Sequence, residues 1–99
     1  MKEDLYLPVI EKKRIEELLA GISNHWELLK GKLVRDYEFK NFPTAINFVN
    51  KLAILAETEQ HHPDIEINYN KVKLTLFTHS KKALTLKDFI LAERISEID

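Results

Sequence analysis

Between Ala45 and Ala56 the apolar residues Ala45, Ile46, Val49, Leu52, Ala53 and Ala56 recur at steps of one, three and four. This is the spacing of a single helical stripe. On both sides of it the period changes to two. Leu33, Arg35, Tyr37 and Phe39 alternate with Val34, Asp36 and Glu38, and Ile65, Ile67 and Tyr69 alternate with Asp64, Glu66 and Asn68. A helix buried along one side, set between two stretches of half-buried strand, leaves few architectures open. The strands must share a sheet, and the helix must cover it.

The turns complete the pattern. Residues 24–30 and 33–39 flank Gly31-Lys32, and Asp64–Tyr69 and Val72–His79 flank Asn70-Lys71, so each pair reads as a β-hairpin. Pro43 suits the first turn of the middle helix, predicted over about residues 43–58. A first helix spans Glu11–Ala20, with Ile15, Leu18 and Leu19 on one side and Gly21 expected as a left-handed C′ residue. Thr85-Leu86-Lys87-Asp88 has the form of a capping box and opens a last helix carrying Leu86, Phe89, Ile90 and Ile95. The predicted class is α+β, in the order αββαββα. One four-stranded antiparallel sheet has helices packed on one face, and the other face is free for an interface.

Composition narrows the function. The 99 residues are expected to form a single domain, 1–99, burying only about 60–65% of the unfolded surface, so self-association is a reasonable expectation. Fifteen Lys and Arg against sixteen Asp and Glu provide no basic field for nucleic acid. Cysteine is absent, which excludes a disulfide scaffold, a thiolate metal site and a cysteine nucleophile. The longest apolar run, Leu52–Ala56, is far short of the ~20 residues of a membrane span. The first residues lack a signal peptide's basic start and apolar stretch, so a cytoplasmic location is expected.

Chemistry is concentrated in three of the four histidines. His61 and His62 precede Pro63, which ends the middle helix and biases His62 towards extended backbone. The hairpin that leaves this loop returns to it with His79. Imidazole, with an ordinary pKa of about 6.5, both gives and takes protons near neutrality. Glu57 lies one turn before His61, and Asp88 lies in the first turn of the last helix. The residues alone leave three readings open: acid–base catalysis, a three-histidine zinc site, and plain surface or structural histidines. His25 reads as a surface or satisfied histidine, and Trp26 and Tyr69 as core aromatics.

The pattern Glu57-x3-His61-His62-Pro63-x5-Tyr69-x9-His79-x8-Asp88 resembles the signature of the pterin-4a-carbinolamine dehydratases. Trp26-Glu27-Leu28, Tyr37–Phe42, Asn47–Ala53 and Leu84–Asp88 are similar to the same family, so the likeness spans nearly the whole chain from about residue 10. The resemblance implies the αββαββα fold and the loss of water from a 4a-hydroxytetrahydropterin to give the quinonoid dihydropterin. This step belongs to tetrahydrobiopterin-type cofactor recycling after aromatic amino acid hydroxylation, with no metal or organic cofactor.

It further implies a homodimer or homotetramer. His61 and His79 would be the acid–base pair, and His62 would bind and orient the pterin. Glu57 would tune His61, and Asp88 would order the His79 side or the helix start. Pro63 and backbone groups near Thr78 would line the substrate. Some animal relatives also act as dimerisation cofactors of a transcription factor, which makes a non-catalytic binding module the alternative. One departure stands out: where relatives have Gly-Gly before Leu-Thr, this chain reads Ser80-Lys81-Lys82-Ala83, and left-handed backbone is harder to adopt without glycine.

Overall fold

A computed structural model describes residues 5–22 and 25–98. The elements are α1 (Lys12–Gly21), β1 (Glu27–Leu29), β2 (Lys32–Glu38), α2 (Phe42–Glu59), β3 (Asp64–Asn68), β4 (Lys71–Leu76) and α3 (Leu86–Glu97). The αββαββα order is as expected. The strands form one antiparallel sheet in the order β1-β2-β4-β3, so the two hairpins meet through β2 and β4.

One face of the sheet is the floor of the core. Leu33, Val72, Leu74 and Leu76 are buried there against Ala45, Phe48 and Leu52 of α2 and Phe89, Leu91, Ala92 and Ile95 of α3. Ile15, Leu18 and Leu19 of α1 pack against the same cluster. Arg35, on the same face, is also buried, with its guanidinium 4.3 Å from the Tyr37 ring centroid. The α2 stripe is Ala45, Phe48, Leu52 and Ala56; Ala53, expected inside, is exposed. Its place is one step round the helix from Leu52, beyond the reach of the sheet. In α3, Leu86 and Ile90 are likewise exposed while Phe89 and Ile95 are buried.

Both turns fall one residue earlier than expected. Leu29 pairs with Lys32 around Lys30-Gly31, and Asn68 pairs with Lys71 around Tyr69-Asn70. Lys30 and Gly31 have φ of 51° and 75°, as a type I′ hairpin requires. Tyr69, with φ of 54°, is exposed at this turn rather than buried in the core. Trp26 is buried, as expected. Gly21 is not a left-handed C′ residue: it ends α1 itself, and Ile22 follows in extended backbone.

Candidate active site

The helix end that carries the histidines is shaped by backbone bonds. Asn41 caps the N-terminus of α2, its Oδ1 accepting from the Thr44 N–H at 2.9 Å and the Thr44 hydroxyl at 2.7 Å. At the other end Gln60 adopts left-handed backbone, φ 53° and ψ 41°. The His61 N–H donates to the Ala56 carbonyl at 3.1 Å and the Gln60 N–H to the Glu57 carbonyl at 3.3 Å. This pair of bonds is a Schellman motif. It turns the chain sharply after α2, and Pro63 prevents the helix from resuming. His61 and His62 therefore leave the helix in different directions.

His61 turns inward and is buried. Its Nε2 lies 2.5 Å from Asp88 Oδ1. Asp88, fully buried, accepts on Oδ2 from the Thr78 hydroxyl at 2.8 Å and from the Thr85 N–H at 2.9 Å. The Thr85 N–H bond is the reciprocal half of the expected capping box. Thr78 and Thr85 hydroxyls lie 2.8 Å apart. Since Thr78 gives its only proton to the carboxylate, Thr85 must donate to Thr78. With Asp88 ionised, His61 carries its proton on Nε2, and Nδ1 has no partner among the described residues.

His62 turns outward and pairs with Glu57 through Nε2 and Oε2, both side chains exposed. His79, beyond the end of β4, faces Asp64 Oδ1 at 3.4 Å through Nε2. The expected pairings are thus rearranged. Glu57 meets His62 rather than His61, because the left-handed Gln60 rotates His61 away from the helical i, i+4 position. Asp88 meets His61 and, as the second expectation for it had it, orders the start of α3 through the Thr85 N–H. Asp64, which sequence reasoning did not single out, faces His79; its position immediately after Pro63 was the available signal.

The histidine sites are linked at the end of β4. Thr78 joins the buried His61–Asp88 pair and precedes His79, while Asp64 ties His79 to the segment that begins at His61. Pro63, half-buried, lies between His62 and Asp64. The Thr78 N–H donates to the Ala83 carbonyl at 3.1 Å and its carbonyl accepts from the Lys81 N–H at 3.0 Å, so the loop itself occupies the backbone groups proposed for substrate. In this loop Lys82 has φ of 52°, the left-handed geometry that glycine would adopt without strain. Among the described residues no group of three or more histidines and acids is arranged to hold a metal ion.

The fold and site define an α+β protein whose four-stranded sheet ends in three histidine–carboxylate pairs. The family model described as pterin 4 alpha carbinolamine dehydratase matches residues 8–98, and the chain belongs to that family. Relatives whose names refer to the same dehydratase include one from Chloroflexus aurantiacus, 47% identical over 93% of this chain and 98% of its own. Another, from Trichormus variabilis, is 55% identical over 75% of this chain and 80% of its own.

A solved structure titled transcriptional coactivator/pterin dehydratase, from Brucella melitensis, superposes with a TM-score of 0.85 at 30% identity, over 92% of this chain and 98% of that one. A pterin dehydratase-like protein described as a RuBisCO assembly factor of the alpha-carboxysome shares the fold, with a TM-score of 0.60 at 20% identity, over 74% of this chain and 84% of that one. No helix among the described residues is long and apolar enough to cross a membrane.

Proposed function

We propose that the chain dehydrates a 4a-hydroxytetrahydropterin to the quinonoid dihydropterin by histidine acid–base catalysis, as a hydro-lyase of tetrahydrobiopterin-type recycling in the cytoplasm. The observation that carries this reading is that His61, His62 and His79 each face a carboxylate of their own around the end of one strand.

The reaction needs two proton transfers. The C4a hydroxyl leaves as water once protonated, and the N5–H bond supplies the electron pair that forms C4a=N5 while its proton passes to a base. Each transfer contributes about 10²–10⁴-fold when a positioned group performs it. His62 and His79, with side chains about half and two-thirds exposed, are the rings open to a bicyclic ligand, and we assign them the transfers. His61, buried and held by Asp88, forms a fixed wall with Nδ1 as its remaining polar atom. This assignment exchanges the roles of His61 and His62 implied by the resemblance. Water loss consumes one proton and yields one, so the pair of rings needs no outside donor over a cycle.

The test is the rise of quinonoid absorbance with freshly made 4a-hydroxytetrahydropterin. The wild-type chain should accelerate it, and His62→Ala and His79→Ala should each lose most of the acceleration. Equal rates for wild type and the double variant would refute the assignment. We take the chain to act as a homodimer or homotetramer, which light scattering decides. The Brucella protein, described both as a transcriptional coactivator and as a pterin dehydratase, favours one second reading, a binding module of the same fold. A stable hetero-complex that survives replacement of all three histidines would support it.

A further inference from the structure

We infer that Asp64 is the positioning residue of His79, an assignment that rests on the dehydratase reading for its kinetic consequence but not for its structural one. Asp64 is the first residue of β3, and the register sets it opposite Thr75 of β4. Thr75, Phe77 and His79 continue one alternation along the face of the sheet turned away from the helices. As β4 runs on past the start of β3, it brings His79 back towards Asp64. The carboxylate Oδ1 then faces His79 Nε2 at 3.4 Å.

A second contact restrains the same ring. Phe77 meets His79 edge-on, with centroids 5.5 Å apart and planes at 87°, and Lys32 Nζ stands 4.8 Å from the Phe77 centroid. Phe77 limits the tilt of the imidazole, and Asp64 limits its rotation. The contact is an ion-pair approach rather than a hydrogen bond, and the negative charge beside Nε2 favours the Nε2–H tautomer of a neutral His79, which leaves the Nδ1 lone pair free to act as a base. Stability does not account for the pair, because both side chains are more than half exposed and exposed ion pairs contribute little. The other two imidazoles also face an acid through Nε2, Asp88 for His61 and Glu57 for His62, so Asp64 completes a set of three.

The test uses the full chain labelled with ¹⁵N. Long-range ¹H–¹⁵N spectra of the neutral imidazoles report which ring nitrogen is protonated, and His79→Gln assigns the His79 signals. In the wild type His79 should be mainly the Nε2–H tautomer. Asp64→Ala should give a mixture with little change in melting temperature, and Asp64→Glu should restore the wild-type pattern. Because a free ring forfeits part of its ~10²–10⁴-fold contribution, kcat of Asp64→Ala should fall about tenfold with KM nearly unchanged. An unchanged tautomer in Asp64→Ala would overturn the assignment. A tautomer shift in a chain that shows no dehydratase activity even as wild type would uphold it and refute the dehydratase reading instead.

Discussion

The Thr78 hydroxyl donates to Asp88 Oδ2 at 2.8 Å, and through that bond the end of β4 is fastened to the first turn of α3. Asp88 belongs to the fold and to the candidate site at once. One oxygen is satisfied by Thr78 and the N-cap of α3, the other by His61. A buried carboxylate is tolerated only with such a complete set of donors.

Thr78→Val keeps the shape and removes one donor from a buried charge. Hydrogen bonds to charged groups contribute about 1.5–3 kcal/mol, so urea denaturation should show a loss of that size. Asp88→Ala should cost more, about 3–5 kcal/mol, because it removes the partner of a buried His61 and half of the α3 capping box together. A Thr78→Val chain as stable as the wild type would mean that water replaces the hydroxyl.

The parts of this arrangement that were legible in the sequence are the local ones. The Thr85–Asp88 box lies within one helical turn, and each hairpin lies within thirteen residues, so spacing carries their existence though not the exact turn. The pairings of the site depend on backbone that has no such signal. Gln60 and Tyr69 adopt left-handed angles although neither is glycine. The first redirects His61 from Glu57 to Asp88, and the second shifts the β3–β4 turn by one residue. The His79–Asp64 pair depends on strand register across fifteen positions, which alternation alone does not set. The spacing of Ala53 fits a broad stripe, but the buried stripe is the narrower one through Leu52.

Two glycines should respond to alanine in opposite directions. A Cβ at either Gly21 or Gly31 meets nothing within 4 Å, so neither substitution causes a clash. Gly31 has φ of 75°, where a side chain costs about 1–2 kcal/mol. Gly21 lies in α1 without that geometry, and alanine there should gain up to about 1 kcal/mol. Thermal melts of Gly21→Ala and Gly31→Ala should therefore move in opposite directions. A shift in the same direction would show that the end of α1 is not helical in solution.

Metal chelation should leave activity unchanged. His61, His62 and His79 each direct Nε2 at a separate carboxylate. Among the described residues no group of three or more histidines and acids is arranged to hold a metal ion. Turnover before and after exhaustive dialysis against EDTA, with elemental analysis of the purified protein, checks this. Loss of activity that zinc restores would return the three-histidine metal site to consideration.

Lys82 offers the clearest separation of loop strain from chemistry. Its φ of 52° places a side chain in the left-handed region, inside a loop closed by the Thr78–Ala83 bridge and the Lys82 N–H bond to the His79 carbonyl. Lys82→Gly removes a strain of about 1–2 kcal/mol and adds some backbone freedom to the unfolded chain, which returns part of that gain. The expected result is a net stabilisation of up to about 1 kcal/mol, read from urea midpoints at constant slope. Lys82→Ala removes the charge and keeps the strain, so it should leave stability nearly unchanged. Comparing KM for the pterin in the two variants then separates the causes. An equal change in both assigns the effect to the lost ammonium group, whereas a change confined to Lys82→Gly assigns it to the loop backbone beside His79.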